Sequence, residues 1–120
     1  AQIIVVTGDG SLEMNIQELK TVSQNELDIK IFVINNGGYA SIRESQDEFA
    51  DGRYTEAEDI LDFSKVAEAF ELDYEIIDDY QNIDEKIKLV TGNRKPTLIE
   101  VVCERNQEIL GPELIDESFL

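Results

Sequence analysis

The sequence predicts an α/β fold in which a parallel sheet is flanked by helices, a three-layer αβα arrangement. Two observations predict it. Short apolar runs with strand character alternate along the chain with segments of helical periodicity. The first apolar run, Ile3 to Thr7, also contains no charged residue, which is typical of a parallel strand buried on both faces. We therefore expect this strand to be covered from both sides.

The first third of the chain predicts one strand-helix-strand unit. Gly8 and Gly10 end the first strand, and the segment Leu12 to Asn25 carries apolar residues at helical spacing. The run Ile29 to Ile34 predicts the second strand. Because a helix connects them, the two strands should be parallel and should be neighbours or near neighbours in the sheet.

The remaining chain predicts further alternation of helices and strands. Asp62 is a candidate N-cap. The other predicted elements are a short helix at about Tyr39 to Phe49, a loop at Asp51 to Tyr54, a helix at Phe63 to Phe70, a strand at Tyr74 to Ile77, a helix from Asn82 or Ile83 to Thr91-Gly92-Asn93, and a strand at Thr97 to Cys103. We expect one domain over residues 1–107 and a tail over residues 108–120.

Two polar clusters follow the first two predicted strands. Gly8-Asp9-Gly10-Ser11 comes after the first, and Asn35-Asn36-Gly37-Gly38 comes after the second. The carboxyl ends of parallel strands are where ligands bind in open α/β sheets. A carboxylate, an amide oxygen and a backbone carbonyl are hard ligands that suit Mg²⁺, and Mg²⁺ commonly shares them with phosphate. Backbone N–H groups around Gly10, Ser11 and Leu12 would face a diphosphate. Either cluster alone is also a common turn sequence.

The spacing of these clusters carries a family resemblance. Gly-Asp-Gly, 24 further residues and Asn-Asn resemble the cofactor-binding signature of thiamine diphosphate enzymes. The stretches GDGSLEMNIQELKTV, FVINNGGYASIRESQ, DGRY and DFSKVAEAF extend the likeness from Ile3 to about Gln107. They are similar to the C-terminal, diphosphate-binding domain of the acetolactate synthase and 2-oxoacid decarboxylase superfamily.

The resemblance implies thiamine diphosphate and Mg²⁺ as cofactors and a 2-oxoacid as substrate, in decarboxylation or carboligation. It implies Asp9, Asn36 and the Gly38 carbonyl as metal ligands, and no catalytic residue within this chain. The implied cofactor-binding residues are Gly8, Asp9, Gly10, Ser11, Leu12, Asn36, Gly38, Tyr39, Ala40 and Ile42. It further implies a cytoplasmic enzyme that assembles as a homodimer or homotetramer.

The sequence departs from the family pattern at two points, and these departures leave more than one function open. Acetolactate synthases usually carry tryptophan at the position of Ser45, where it shapes the acceptor pocket. The glutamate that activates the aminopyrimidine belongs to a pyrimidine-binding domain, and no residue here matches it. The resemblance also implies that the first part of the diphosphate domain precedes Ala1. The alternative is therefore a noncatalytic fragment or subunit that needs a pyrimidine-domain partner. A receiver-like phosphate-binding domain is a further alternative, but its acidic pocket with an adjacent lysine is not found.

Composition excludes several other classes of function. The formal net charge of −17 disfavours nucleic acid and anionic membranes as partners, and no apolar run is long enough to span a membrane. The chain has no histidine, so it carries no histidine-based triad or metal site. The single Cys103 permits no internal disulfide, and we expect it to be a buried, inert thiol. The acidic stretch from Glu44 to Glu85 lacks the spacing of a calcium loop and is interpreted as solvated surface.

Overall fold

The computed structural model describes residues 1–36 and 61–104 of the 120-residue chain. Elements are numbered here over those residues. The strands are β1 (Ile3–Gly8), β2 (Ile29–Asn35), β3 (Asp73–Ile77) and β4 (Thr97–Val102). The α-helices are α1 (Asp9–Met14), α2 (Leu19–Gln24), α3 (Phe63–Ala69) and α4 (Ile83–Thr91). Short 3-10 turns at Ile16–Glu18 and Tyr80–Asn82 precede α2 and α4.

The four strands form one fully parallel sheet in the order β1-β2-β4-β3. The β1 and β2 strands are direct neighbours, as predicted, with Ile3 beside Ile29 and Gly8 beside Ile34. Helical segments link consecutive strands wherever the structure describes the connection, as parallel pairing requires. The predicted α/β class with a parallel sheet and flanking helices is confirmed.

Side chains pack against both faces of the sheet. On one face, buried residues of β2 and β4 meet α1, α2 and α3 in a cluster formed by Leu12, Leu19, Ile31, Val33, Phe63, Ala67, Leu72 and Leu98. On the other face, Ile77 and Ile99 pack with Val90 of α4. Helices on both faces give the three layers, and they fix the direction in which the ends of the strands point.

The burial expected for β1 is wrong within the described residues. The β1 strand lies at the edge of the sheet, and its four apolar residues Ile3, Ile4, Val5 and Val6 are 38 to 68% exposed. An uninterrupted apolar run predicts contact on both faces, but the packing depends on which elements cover the strand. Among the described residues, neither buried core cluster includes a residue of β1. In contrast, β2 and β4 have strands on both sides.

The other predicted elements are found with small differences in their bounds. The segment after β1 is two helices joined by a 3-10 turn rather than one helix. Gly92 follows α4 as predicted, but its φ of −78° lies in the right-handed region, so the helix ends without a left-handed glycine. The predicted helix at Tyr39 to Phe49, the loop at Asp51 to Tyr54 and the tail lie outside the described residues. Each helix of the described ranges is too short or too polar to cross a membrane.

A buried lysine stabilises the edge of the sheet at which the strands begin. Lys30 is fully buried in β2. Its Nζ atom donates to Asn93 Oδ1 at 2.9 Å and to the carbonyl of Lys95, and it lies 3.1 Å from Asp28 Oδ1. Buried charges are tolerated only when such partners replace water. This group of side chains joins the start of β2 to the segment that precedes β4.

The start of α3 is stabilised by the predicted N-cap. The side chain of Asp62 accepts hydrogen bonds from Ser64 Oγ at 2.5 Å and from the Ser64 backbone N–H at 3.1 Å. These bonds, together with one from the Lys65 backbone, lower the pKa of Asp62 below its ordinary value of 3.8. Such a cap satisfies N–H groups that have no acceptor within the helix.

We expect Asp62→Ala to lower the thermal midpoint at neutral pH. Because the folded-state pKa is depressed, the stabilisation is present above the unfolded value of 3.8 and is lost as the pH falls through the folded value. The difference in midpoint between the two proteins should therefore shrink in acid. Circular dichroism melts between pH 7 and pH 2 measure it, with Asp78→Ala as the control for a lost surface charge. A difference that stays constant across this range would contradict the assignment.

Candidate functional site

The first predicted polar cluster and the described part of the second, Asn35 and Asn36, lie at the same edge of the sheet. Gly8 ends β1 and pairs with Ile34 of β2, which is followed two residues later by Asn36. Asp9 directly follows Gly8 and begins α1. The parallel register therefore brings the Asp9 and Asn36 positions to the carboxyl ends of adjacent strands, where the topology of such sheets places ligands.

Asp9 is almost completely buried, with 2% of its surface exposed. Its Oδ1 atom accepts a hydrogen bond from the Gly10 backbone N–H at 2.8 Å. The carboxylate lies in the first turn of α1, where the helix dipole favours a negative charge. A carboxylate removed from water in this way requires partners. Its place directly after β1 puts it at the same edge of the sheet as Asn36.

The amide oxygen of Asn36 has no partner within the described residues. Asn36 Oδ1 is shielded from solvent and accepts no hydrogen bond. Leaving a buried acceptor unsatisfied costs about 1 to 3 kcal/mol, so an unpaired oxygen needs an explanation. A bound cation would provide one, because an amide oxygen is a suitable ligand for Mg²⁺.

Gly8 leaves space at the same edge. Its φ of −81° and ψ of 162° describe extended backbone that any residue adopts. Among the described residues, a Cβ atom built at Gly8 would meet nothing closer than Ser11 Oγ at 4.0 Å. Neither backbone strain nor packing within the described chain requires glycine at this position. A bound group lying against the backbone would require it.

The start of α1 supplies a backbone donor beside this space. In an α-helix that begins at Asp9, the Ser11 N–H has no carbonyl acceptor within the helix, whereas that of Leu12 bonds to a carbonyl four residues earlier. The Gly10 N–H donates to Asp9 Oδ1. The Leu12 side chain is buried in the core. Helical geometry thus favours Ser11 over Leu12 as a donor to an anion.

Comparison with known proteins identifies the family. The family model described as thiamine pyrophosphate enzyme, C-terminal TPP binding domain, matches residues 1–101. The chain belongs to this family.

Relatives of the thiamine pyrophosphate-binding domain include acetolactate synthases. The chain is 37% identical over 108 residues to the acetolactate synthase large subunit of Cyanidium caldarium, covering 88% of the chain and 18% of that protein. It is 33% identical over 110 residues to the large subunit from Parasynechococcus marenigrum, with the same coverage. It is 39% identical over 70 residues to the Escherichia coli isozyme 3 large subunit, covering 57% of the chain and 12% of that protein. The chain thus spans less than a fifth of the length of these relatives.

The structure describes only part of the predicted site of this domain. It brings Gly8, Asp9, Gly10 and Asn36 to one edge. Gly38, Tyr39, Ala40 and Ile42 lie outside the described residues, as does Ser45. Within ranges 1–36 and 61–104, no three His, Cys, Asp or Glu side chains are grouped as a metal site. A single carboxylate and an amide oxygen suit a cation that a diphosphate also binds.

A hydrogen-bonded group behind this edge is not part of the prediction. Glu100, in the middle of β4, accepts from Asn35 Nδ2 at 2.7 Å and from the Tyr74 hydroxyl at 2.6 Å. Burial, and then the hydrogen bond to Glu100, raise the pKa of Tyr74. The sequence does carry a signal for this group. Glu100 is the only charged residue in the run Thr-Leu-Ile-Glu-Val-Val, and a charge in a buried strand requires partners.

Cys103 follows β4 at the same end of the sheet. It is partly rather than fully buried, and burial raises the pKa of its thiol. A raised pKa disfavours the reactive thiolate form. Its backbone N–H donates to the Asn35 carbonyl at 2.9 Å, so its described contact at the site is made by the main chain.

Proposed function

We propose that this chain binds the diphosphate of thiamine diphosphate through Mg²⁺ as the C-terminal domain of an acetolactate synthase-like enzyme. The unpartnered, shielded Oδ1 atom of Asn36 is the observation that carries the proposal. It lies at the carboxyl end of β2, next to β1, which ends at Gly8 directly before Asp9. The family relationship supports the identity of the ligand.

In this proposal, Asp9 and Asn36 hold the metal ion with their side-chain oxygens, and the Gly38 carbonyl is the third protein ligand. The negative charge of Asp9 balances part of the charge of Mg²⁺, while the neutral Asn36 contributes an oxygen without adding charge. Diphosphate oxygens complete a coordination shell of the kind Mg²⁺ prefers. The Ser11 backbone N–H donates to the diphosphate at the start of α1, while the Gly10 N–H orients the Asp9 carboxylate. Gly8 leaves room for it.

When bound, thiamine diphosphate supplies the carbon nucleophile that attacks the carbonyl of a 2-oxoacid. The residues of this chain act by binding and orienting. Asp9, Asn36 and the α1 donor fix the diphosphate, and Tyr39, Ala40 and Ile42 lie along the cofactor toward the substrate. The reaction is decarboxylation or carboligation of a 2-oxoacid. Ser45, where synthases usually carry tryptophan, favours an acceptor pocket different from theirs.

Loss of either side-chain ligand should weaken cofactor binding. We expect Asp9→Ala to reduce the Mg²⁺-dependent affinity of the full-length protein for thiamine diphosphate at least tenfold, about 1.4 kcal/mol. Asn36→Ala should also reduce it, with a smaller electrostatic part because the amide is neutral. Isothermal titration calorimetry at fixed Mg²⁺ measures both, and Asp78→Ala controls for a change in net charge. Wild-type affinity in both variants would place the site elsewhere.

Gly8 offers a test that separates binding from folding. Its extended backbone and open surroundings accept a methyl group, so Gly8→Ala should leave stability unchanged or raise it by about 0.4 to 1 kcal/mol. In the proposed site the same methyl group occupies space needed by the diphosphate. We therefore expect at least tenfold weaker thiamine diphosphate binding from a protein that melts no lower than the wild type. Unchanged binding would show that no ligand approaches Gly8.

We further infer that turnover needs a pyrimidine-binding domain, on the same or another chain, and that the complete enzyme is a homo-oligomer. The resembled family takes the glutamate that activates the aminopyrimidine from that domain. Without it the reacting ring is not positioned, and positioning contributes about 7 to 11 kcal/mol in well-oriented systems.

The 120-residue chain alone should therefore show no detectable turnover. The assay follows CO₂ release from a panel of 2-oxoacids in the presence of thiamine diphosphate and Mg²⁺, with free cofactor as the blank. Release that is proportional to protein and lost in Asp9→Ala would show instead that this chain forms a complete site.

A further inference from the structure

Glu100 connects the sheet interior to the end of β2. In the sheet register it lies beside Val33 of β2 and Ile76 of β3. Its carboxyl group is buried on the face that also carries Leu98 and Tyr74. One oxygen accepts from Asn35 Nδ2 at 2.7 Å, and the other accepts from the Tyr74 hydroxyl at 2.6 Å. The carboxyl group therefore bridges β2 and β3 across β4.

Asn35 is held at both its side chain and its backbone. Glu100 holds the amide nitrogen, and the Cys103 N–H donates to the Asn35 carbonyl at 2.9 Å. Both contacts come from β4 or from the residue that follows it. Asn35 is the last residue of β2, and Asn36 is the first residue beyond it. Contacts that fix Asn35 therefore fix the point from which Asn36 leaves the sheet.

Tyr74 holds the other side of the carboxyl group. Burial, and then the bond to Glu100, raise the pKa of Tyr74, which favours the protonated hydroxyl that donates. The two bonds together restrain the orientation of the Glu100 carboxyl group. Asn36 Oδ1, in contrast, has no partner among the described residues to set its direction. Its position depends on the backbone before it.

We propose that Glu100 is a positioning residue for the metal site: through Asn35 it fixes the end of β2, so that Asn36 Oδ1 is presented to the cation. This inference rests on the proposed function, since it assigns a role to a residue that does not itself touch the cofactor. A ligand held in place before binding loses less conformational freedom when the cation binds. The affinity for Mg²⁺ should therefore depend on the geometry of the Glu100 side chain.

Two simpler roles make different predictions. If Glu100 acts only as a nearby negative charge, Glu100→Asp should bind Mg²⁺ like the wild type, and Glu100→Gln should bind it more weakly. If Glu100 only stabilises the fold, affinity should follow the thermal midpoint. The positioning role requires an acceptor for Asn35 at the original reach. Gln meets this requirement, because its side-chain oxygen accepts from Asn35. Asp is shorter by one methylene, so its carboxylate does not meet Asn35 at that reach.

The test is calorimetric titration of Mg²⁺ into the full-length protein at saturating thiamine diphosphate, with thermal melts of every variant. We expect Glu100→Gln to stay within threefold of the wild type, Glu100→Asp to bind at least fivefold more weakly, and Glu100→Leu at least tenfold more weakly.

Glu75→Gln is the matched control, because Glu75 pairs with Lys86 at 2.6 Å and makes no contact with Asn35 among the described residues. Tyr74→Phe controls for stability, since it removes a bond to Glu100 but keeps the bond to Asn35. It should melt lower and bind within threefold.

The relative Mg²⁺ affinities of Glu100→Gln and Glu100→Asp decide the outcome even if Glu100→Leu does not fold. If Glu100→Asp binds Mg²⁺ as tightly as Glu100→Gln, or more tightly, the positioning role is overturned. Affinity that falls with the thermal midpoint in Tyr74→Phe would overturn it as well. Failure of the proposed function is seen separately: the wild type would show no Mg²⁺-dependent binding, or Asn36→Ala would bind normally. This inference alone would be rejected by a different combination of results. In it, the wild type binds Mg²⁺ and Asn36→Ala does not, but Glu100→Asp binds at least as tightly as Glu100→Gln.

Discussion

The parallel pairing of β1 with β2 is the constraint on which the candidate site depends. Asp9 and Asn36 are far apart in sequence, and they share an edge only because Gly8 pairs with Ile34. A slip of one residue would turn the side chains of β1 to opposite faces and expose or bury the wrong set. The pairing runs without interruption from Ile3 beside Ile29 to Gly8 beside Ile34, and the Ile3 N–H donates to the Asp28 carbonyl at its start. Pairing along the whole of β1 thus determines which polar groups meet at the edge.

Much of the fold could be predicted from the sequence because most strands and helices satisfy local rules. Asp62 caps α3 as its side chain and position indicate, and Phe63 and Ala67 of the predicted helix are buried in the core. The exposure of β1 could not be predicted. An apolar run shows that a strand can be buried on both faces, but the covering elements are tertiary features that the run does not encode. The break between α1 and α2 was missed for a related reason, since apolar spacing continues across the 3-10 turn.

Part of the candidate site could likewise be predicted from the sequence, and part could not. The carboxylate, the glycines and the paired asparagines are recognisable because residue type, spacing and strand ends coincide. The Glu100 group was missed because its members come from three strands, and no spacing in the sequence relates Asn35 to Tyr74 or to Glu100. A single charge inside an apolar strand is the only local sign. It shows that a partner is required, but the sheet order β2-β4-β3 determines which partner it is.

Polar groups of the described chain fall into two kinds, and the difference indicates where a ligand binds. Lys30 and Glu100 are buried, and each has hydrogen-bond partners that account for its burial. Asn36 Oδ1 is shielded and unpartnered, and Gly8 is a glycine whose conformation and neighbours do not require one. Internal packing explains the first kind and leaves the second unexplained. Both unexplained features lie at the carboxyl edge of β1 and β2, beside a buried carboxylate. The proposed cation with its bound diphosphate would explain them together, since it would pair with the oxygen and occupy the space that glycine leaves.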